Sequence, residues 1–307
     1  MDRLTFSIAP VAPFRLDFTA WALQRRRQNR IDRWDGATYR RVLPFDDVPI
    51  EVAVRQSGPC DAPRLQVTLT GPGLRPEFKE KAKPLVEKIL GLRVDLAPFY
   101  RMAGHDAKLL LLVEKFRGLK PPRFPTIFET LANAFACQQL SLTVGLGMLS
   151  RMAGVCGLSL KQDGETNYAF PRPQDLLELA PGAIRELGFS GNKTRAFLEL
   201  AGDIVSGRIN FDSLEKMDNQ AVIASLLGLR GVGRWTAEYV LLRGLKPLNV
   251  FPGDDVGARN RLAKWLQRKE PLDYDAVARV TRRWEPYAGM VYFHMLLEGL
   301  YEAGELK

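Results

Sequence analysis

The sequence contains few of the residues that proteins use to bind transition metals or to form disulfides. Among 307 residues there are three cysteines, Cys60, Cys137 and Cys156, and two histidines, His105 and His294. No two cysteines have the CxxC spacing, and their number is odd. We therefore expect a reducing compartment, without a disulfide framework or a zinc site. With only two histidines, we also expect no metal-ligand cluster.

Long apolar segments are also missing from the sequence. The longest apolar run, near Leu109 to Val113, is far too short to span a bilayer. No apolar stretch follows a basic N-terminus, so we expect no signal peptide. These absences predict a cytoplasmic protein that does not interact with membranes.

The composition is that of a globular protein with an excess of basic residues. Hydrophobic residues make up 46% and charged residues 26% of a chain long enough for two domains. The formal net charge is +9, with a sequence pI of about 9.5. This charge favours a polyanionic partner, although it does not identify one.

Residues 1–100 are predicted to form an α+β domain with a small antiparallel sheet. Three segments, 39–45, 48–54 and 64–71, contain apolar residues in alternation or β-branched runs, and glycines and prolines separate them. A helix is predicted from about Pro76, with an apolar stripe. Short links between strands indicate an antiparallel sheet with helix on one face.

Residues 101–307 are predicted to form a helical domain. Thr126 and Glu129 have the spacing of a helix N-terminal capping box. Further along, Gln138 to Ser141 interrupt one helix and start another, with Ser141 as a plausible N-cap. From this pattern alone, Leu140 at this corner is predicted to be an ordinary core residue.

Five arginines are dense in one short stretch near the N-terminus. Such a run is more typical of a solvated surface than of direct contact with a polyanionic partner, and the sequence leaves both interpretations open. Trp21, just before the run, is predicted to be a core residue. The run consists of Arg25, Arg26, Arg27, Arg30 and Arg33.

The stretch 226–261 reads as a helix, a tight hairpin, a second helix and the start of a third. Gly231, Val232 and Gly233 form the hairpin, and the second helix is predicted from about Arg234 to Gly244. Glycines permit unusual backbone conformations and leave amides accessible. Next to a helix N-terminus, they make an anion site suited to a phosphate. The alternative is a tight turn between two helices with no ligand.

Two adjacent carboxylates, Asp254 and Asp255, precede the third helix, and Asp255 follows Gly233 by twenty-two positions. An aspartate in this place is most often a helix N-cap. A carboxylate also has a second possible use, because it stabilises developing positive charge and orients an attacking water.

The hairpin with its downstream aspartate resembles the helix-hairpin-helix DNA glycosylases, whose signature is LxGxG, a second helix and an aspartate at the start of the next helix. The segments GVGRWTAEY, FPGDD and WEPYAGMVYFHML are most similar to the DNA-3-methyladenine glycosylase II family, the AlkA type. The resemblance covers most of the chain. It implies an N-terminal domain similar to one TATA-binding-protein repeat, followed by an all-α helix-hairpin-helix glycosylase domain.

The resemblance also implies an activity and a partner. A monofunctional glycosylase of base excision repair would flip alkylated purines, of the 3-methyladenine and 7-methylguanine type, out of double-stranded DNA and hydrolyse their N-glycosidic bonds. No cofactor is expected apart from a possible alkali cation at the hairpin. We expect the protein to act as a monomer.

Specific residues match the family's motifs. Asp255, followed by Val256 and Gly257, matches the catalytic aspartate, which leaves Asp254 as the predicted cap. Trp235 takes the position where bifunctional relatives have a Schiff-base lysine, which predicts no lyase activity. The predicted base pocket contains Trp235 and Tyr239. The predicted DNA-binding residues are Gln139 and the wedge Leu140 at the corner, and Gly231, Val232, Gly233 and Arg234 at the hairpin.

One departure from the family pattern leaves open which damaged bases the protein accepts, because Leu296 stands where a stacking tryptophan is usual. His294, on an apolar helix, is predicted to be a core residue rather than a general base. Two rival interpretations remain: a glycosylase for oxidised or deaminated bases, and a non-catalytic helix-hairpin-helix DNA-binding protein. Whether the arginine run contacts DNA is also left open.

Overall fold

The computed structural model describes residues 1–162, 164–245 and 248–306. Its N-terminal part contains β1 (Asp2–Ile8), α1 (Leu16–Gln24), β2 (Arg33–Trp34), β3 (Thr38–Phe45), β4 (Val48–Ser57), β5 (Arg64–Gly71) and α2 (Glu77–Ile89). The strands form one antiparallel sheet in the order β1-β5-β4-β3-β2. The three predicted strands and the helix after Pro76 are confirmed. The edge strands β1 and β2 were not predicted.

The two faces of this sheet differ in polarity. Successive side chains of a strand point to opposite faces, so the register places Leu69 beside Leu4 and Val52, and Val67 beside Phe6 and Val54. This apolar face packs against α1 and α2. The opposite face carries threonines and arginines.

The rest of the chain is mainly helical. Its helices are α3 (Ala97–Ala103), α4 (Ala107–Lys115), α5 (Ile127–Cys137), α6 (Leu142–Cys156), α7 (Pro173–Leu177), α8 (Pro181–Glu186), α9 (Gly191–Val205), α10 (Asn219–Leu227), α11 (Arg234–Gly244), α12 (Val256–Trp265), α13 (Tyr274–Thr281) and α14 (Ala288–Glu302), with short 3₁₀ helices at Asp212–Lys216 and Arg282–Trp284. The prediction of an all-α domain is wrong, because β6 (Ser159–Gln162) and β7 (Glu165–Tyr168) form a hairpin. Their short, polar sequences lack the apolar alternation that identifies a strand.

Two hydrophobic cores meet along α11. One includes α5, α6 and α9. The other is built around α14 and also receives Trp21 and Ala22 from α1. Trp21 and His294 are buried, as predicted. Because α1 contributes to both the sheet core and the α14 core, the sheet packs against the helices. The predicted domain boundary at residue 100 and the predicted likeness to a TATA-binding-protein repeat stay predictions.

The predicted cap at Thr126 is confirmed only in part. Thr126 Oγ1 accepts a hydrogen bond from the Glu129 amide. The Glu129 side chain does not complete a capping box, since it forms a buried ion pair with Arg41 of the sheet. The pairing ties α5 to β3. Among the described residues no helix is long and apolar enough to cross a membrane.

Candidate active site and nucleic-acid interface

A cavity of about 880 Å³ opens where α11, α12, α14 and the α5–α6 corner converge. Trp235 and Tyr239 of α11, Asp255 before α12, and Tyr292 and Leu296 of α14 line it, together with Leu140 of the corner. Residues far apart in sequence therefore meet in one concave site. Clefts of this size that combine apolar walls with a few polar groups are typical ligand sites.

Asp255 lines this cavity and is held by two hydrogen bonds. Its Oδ1 accepts from the Ala258 amide at 2.8 Å, which caps α12. Its Oδ2 accepts from the Tyr292 hydroxyl at 3.1 Å. A carboxylate has about four acceptor positions, so two remain for a ligand or water.

The prediction that Asp254 caps the helix is wrong. Helix α12 begins at Val256, so the cap position belongs to Asp255. Asp254 instead accepts a hydrogen bond from Arg234 Nε at 2.8 Å, across to the start of α11. The two adjacent carboxylates thus differ in partner: Asp255 binds a backbone amide and a buried tyrosine, whereas Asp254 forms a partly exposed ion pair.

Tyr292 is a neutral hydrogen-bond donor to this carboxylate. Burial raises its pKa well above the ordinary value, and the adjacent charge of Asp255 raises it further. The hydroxyl therefore keeps its proton throughout the neutral pH range. It fixes one carboxylate oxygen while the Ala258 amide fixes the other.

Trp235 and Tyr239 form the aromatic wall of the cavity. Their ring centroids are 5.5 Å apart and their planes are inclined by 32°. The Tyr239 hydroxyl accepts a hydrogen bond from Arg25 Nη1 at 3.1 Å, and Arg25 Nη2 donates to Asn133 Oδ1 at 2.7 Å. Arg25 is only 4% exposed. The solvated-surface interpretation of the arginine run is therefore wrong for Arg25, which leaves helix α1 with φ of 58° and turns into the interior.

A second buried guanidinium, Arg243, also lines the cavity. It lies near the rings of Phe124 and Phe293, at 4.9 and 5.3 Å, and donates to the Ala22 carbonyl at 3.0 Å. Its Nε and Nη1 have no hydrogen-bond partner among the described residues. Burial lowers the pKa of Arg243. Sequence reasoning missed this residue, although an arginine inside the apolar run of α11 was a visible signal.

The hairpin before α11 presents backbone amides to solvent. Gly231 has φ of +79°, and a Cβ there would lie 3.1 Å from Ala196 Cβ. Gly233 has φ of −105° and open space around it. The expectation that both glycines supply unusual backbone conformations holds only for Gly231.

The hairpin is anchored by Val232, which is buried and donates its amide to the Leu229 carbonyl at 3.2 Å. That amide is therefore engaged within the turn. No acceptor among the described residues contacts the amides of Gly231, Gly233 and Arg234. These three N–H groups lie at or next to the N-terminus of α11, where the helix dipole favours an anion.

The α5–α6 corner lies directly beside the hairpin. Gln138 Nε2 donates to the Gly231 carbonyl at 2.8 Å and to Thr236 Oγ1 at 3.0 Å. Ser141 caps α6, as predicted. Gln139 has φ of +56°, and Leu140 is 43% exposed. The core interpretation of Leu140 is therefore wrong, since an exposed leucine projects at the mouth of the cavity.

With this geometry established, comparison with known proteins identifies the family. The model of the HhH-GPD superfamily of base excision DNA repair proteins matches residues 132–286, about half of the chain. The chain belongs to this superfamily. Within the matched residues lie the corner, the hairpin, both aspartates and the aromatic wall.

Several known proteins align with most of the chain. DNA-3-methyladenine glycosylase of Bacillus subtilis is 27% identical, over 72% of this chain and 74% of its own. A probable N-glycosylase/DNA lyase of Methanothermobacter thermautotrophicus is 26% identical over 80% of each. The solved structure of a 3-methyladenine DNA glycosylase from Archaeoglobus fulgidus has a TM-score of 0.83 at 23% identity, and covers 96% of this chain and 98% of that one.

Part of the cavity lies outside the HhH-GPD match. Arg25 precedes residues 132–286, and Tyr292 and Leu296 follow them. The residue that follows helix α1 and the C-terminal helix α14 therefore supply the groups that hold Tyr239 and Asp255. Tyr292 lies in a segment that resembles the family and Arg25 in the arginine run, but neither pattern predicted their roles, because each acts through a partner more than thirty residues away.

Proposed function

We propose that this HhH-GPD protein is a monofunctional DNA glycosylase that hydrolyses the N-glycosidic bond of alkylated purines. The observation that carries the proposal is Asp255, whose carboxylate lines an aromatic-walled cavity and is held between the Ala258 amide and the Tyr292 hydroxyl. Relatives described as DNA-3-methyladenine glycosylases, from Bacillus subtilis and Escherichia coli, support the choice of substrate. The Escherichia coli relative is 27% identical, and the alignment covers 60% of its length.

Asp255 would act on the sugar rather than on the base. As the glycosidic bond breaks, positive charge spreads over the deoxyribose ring, and a fixed carboxylate stabilises it electrostatically. The same carboxylate orients the attacking water and accepts its proton. Because both oxygens are already positioned, little reorganisation is needed at the moment of reaction.

The cavity would receive a base that has left the helical stack. Trp235 and Tyr239 offer π-faces on which an alkylated, positively charged purine gains a cation–π interaction. The exposed Leu140, with Gln139 beside it, would fill the space that the base vacates in the duplex. Such apolar wedges cost unstacking energy and gain a bent duplex with more contacts.

The hairpin would bind a phosphate of the double-stranded DNA near the lesion, through the Gly231, Gly233 and Arg234 amides. We include an alkali cation in this proposal. The hairpin carbonyls of Leu229 and Gly231 are oxygen donors that such a cation accepts, and each has a second lone pair beyond its present hydrogen bond. The cation would supply positive charge toward the phosphate. No other cofactor is proposed, and the protein would act as a monomer.

Lack of lyase activity is part of the proposal. The Schiff-base route needs a lysine amine at the sugar, and Trp235 occupies the family's lysine position. No lysine is among the described residues that line the cavity. The neighbouring Lys193 lies outside the lining and donates its ammonium to the Gln138 carbonyl at 2.7 Å. Hydrolysis by an activated water is therefore the proposed route.

The test is incubation with a duplex that contains a single 3-methyladenine or 7-methylguanine. The expected products are the free base and an intact strand with an abasic site, with no adduct after borohydride reduction. A covalent adduct would make the enzyme bifunctional. Release of 8-oxoguanine or hypoxanthine in preference to alkylated bases would contradict the substrate class. DNA binding with no release from any of these duplexes would mean a non-catalytic binding protein.

A further inference from the structure

The sheet face that points away from α1 and α2 is polar and basic. The register brings Arg33 and Arg40 into one row with Ala53, Thr68 and Thr5. The parallel rows on this face contain Arg3 with Thr70, and Arg55 with Gln66. Small side chains occupy the centre of the middle row, so the face forms a depression bordered by arginines.

Two cavities cover this face and join. One of about 620 Å³ lies over the sheet, and one of about 640 Å³ lies between the sheet edge and α6. Both are lined by Arg33, Thr38, Arg40, Glu165 and Asn167. We call the combined depression the arginine trough; its six arginines are Arg3, Arg27, Arg30, Arg33, Arg40 and Arg55.

The arginine trough has more positive than negative charge. Its lining carboxylates are Asp35, Glu51 and Glu165. Glu51 pairs with Arg33 at 2.6 Å and with Arg40 at 3.5 Å. The remaining four arginines, Arg3, Arg27, Arg30 and Arg55, are exposed and form no ion pair with any described residue. Like charges held together repel one another, and a polyanion relieves that repulsion.

The trough adjoins the candidate active site at the α6 end of the α5–α6 corner, whereas the hairpin contacts the α5 end. Arg26 lines the catalytic cavity and donates to Thr143 Oγ1 at 3.3 Å, just after the corner that carries Leu140. The next residue, Arg27, lines the trough. On the other side of the corner, Gln138 contacts the hairpin at Gly231. Leu140 therefore lies between two candidate phosphate-binding surfaces.

We propose that the arginine trough binds the phosphate backbone of the duplex on the side of the lesion opposite the hairpin. The inference rests on the proposed function, which supplies DNA as the substrate. Five strands at about 4.8 Å spacing make the sheet roughly 19 Å wide, or about five to six base pairs of B-DNA at 3.4 Å each. Arginine guanidinium groups suit phosphate oxygens.

The part of the trough over the sheet favours a duplex backbone over single-stranded bases; the aromatic residues Trp34 and Tyr168 line only the part beside α6. Proteins that bind single strands stack the bases on aromatic side chains. No aromatic residue is among the described residues that line the sheet part of the trough. Contacts in this part would therefore be made to phosphates, and they would be independent of sequence.

The experiment measures binding to two duplexes with a stable abasic-site analogue. The two duplexes differ in which side of the lesion carries the short arm. Each has an arm shorter than about 5 base pairs on one side of the lesion and longer than about 12 on the other. We expect Arg3→Gln/Arg55→Gln to weaken binding roughly tenfold for only one of the two duplexes, the one whose long arm lies on the side of the lesion opposite the hairpin. For that duplex, the slope of log affinity against log salt falls by about 1.8, since each phosphate contact contributes about 0.9.

The matched control is Arg268→Gln/Lys269→Gln, which removes two exposed charges beyond the C-terminal end of α12. Affinity for both duplexes should stay as in the wild type. Melting temperatures establish that each variant is folded. An equal loss for both duplexes, no loss for either, or the same loss in the control would overturn the proposal. Tighter binding of a single strand than of a duplex would also overturn it.

The experiments distinguish an error in the trough proposal from an error in the proposed glycosylase function. Base release by the wild-type protein is measured separately, on alkylated duplex. If the base is released but the double variant loses the same affinity for both duplexes, only the proposal for the trough is wrong. If no base is released, the glycosylase proposal fails, and binding of the two duplexes still decides whether the trough contacts DNA.

Discussion

Two parts of the site are built in opposite ways. The inner rim of the cavity consists of Asp255 and Tyr239 with their hydrogen-bond partners, and the outer surface consists of the α5–α6 corner and the hairpin. At the inner rim, Asp255 is bonded to Tyr292, and Tyr239 is bonded to the buried Arg25. At the outer surface, Leu140 is exposed and the Gly233 amide has no acceptor among the described residues. Both regions lie within one site, where Gly233 directly precedes α11 and Tyr239 lies in it.

The difference separates two physical requirements. A group that stabilises a transition state must be positioned before the reaction, so its hydrogen bonds to the protein are complete. A group that binds DNA needs unsatisfied donors or exposed apolar surface until the duplex arrives. We therefore expect changes at the inner rim to affect the rate of base release, and changes at the outer surface to affect affinity.

The largest expected effect follows Asp255→Asn. Removing the charge should slow base release by at least ~100-fold, the scale for losing one preorganised electrostatic partner. Asparagine is a comparable N-cap, so the fold should persist. DNA binding should survive or tighten, because a negative charge near phosphates is gone. Single-turnover base release with excess enzyme measures the rate, and unaltered release would contradict the role of Asp255.

Gly233→Asp tests the outer surface. Open space surrounds Gly233 and its φ is negative, so the substitution should fold. A carboxylate at the proposed phosphate site should weaken duplex binding about tenfold at low salt, and less at high salt. Gly231→Arg is less informative, because φ of +79° at Gly231 adds backbone strain. Titration of labelled duplex checks the effect; full affinity in a folded Gly233→Asp would exclude the hairpin from the interface.

Arg25→Leu tests whether the buried arginine positions Tyr239. We expect base release to slow roughly tenfold, with a loss of stability because Asn133 loses its partner. If Arg25 acts through the Tyr239 hydroxyl, adding Tyr239→Phe should change the rate little further, since residues in contact are non-additive. Fully additive rate effects in this double-mutant cycle would show that Arg25 acts independently of Tyr239.

The smallest effect is expected for Asp254→Asn. Its ion pair with Arg234 is partly exposed, and such pairs contribute about 0 to 1 kcal/mol. Base release should change less than about threefold, because the α12 cap belongs to Asp255. An inactive Asp254→Asn with an active Asp255→Asn would mean that the catalytic assignment is displaced by one residue.

Local patterns predicted much of this fold. Alternating apolar residues placed three of the five strands in the sheet. The hairpin glycines placed the start of α11 at about Arg234, and Gly244 with the following proline placed its end near Gly244, as observed. Ser141 was correctly predicted as a cap. In each case the signal lies within a few residues of the feature, where spacing determines backbone geometry.

Other features depend on contacts between distant segments, which spacing does not encode. Asp254 and Asp255 are chemically equivalent in the sequence, and only the start of α12 decides which one caps it. Arg25 was indistinguishable from its exposed neighbours, until the left-handed backbone after α1 turned it toward Tyr239. Tyr292 contributes to the site because α14 packs beside α12. The roles assigned to the site residues stay predictions.

The central claim is that the inner rim determines the rate of base release and the outer surface determines DNA affinity. Its most direct test compares Asp255→Asn with Gly233→Asp, with the release rate and the affinity measured on the same preparations. Single-turnover release of 3-methyladenine is measured at saturating enzyme, and affinity is measured on a duplex with an abasic-site analogue. We predict that Asp255→Asn loses release and keeps affinity, whereas Gly233→Asp loses affinity and keeps release at saturation. If both folded variants lose release and affinity together, the inner rim and outer surface do not have separate functions.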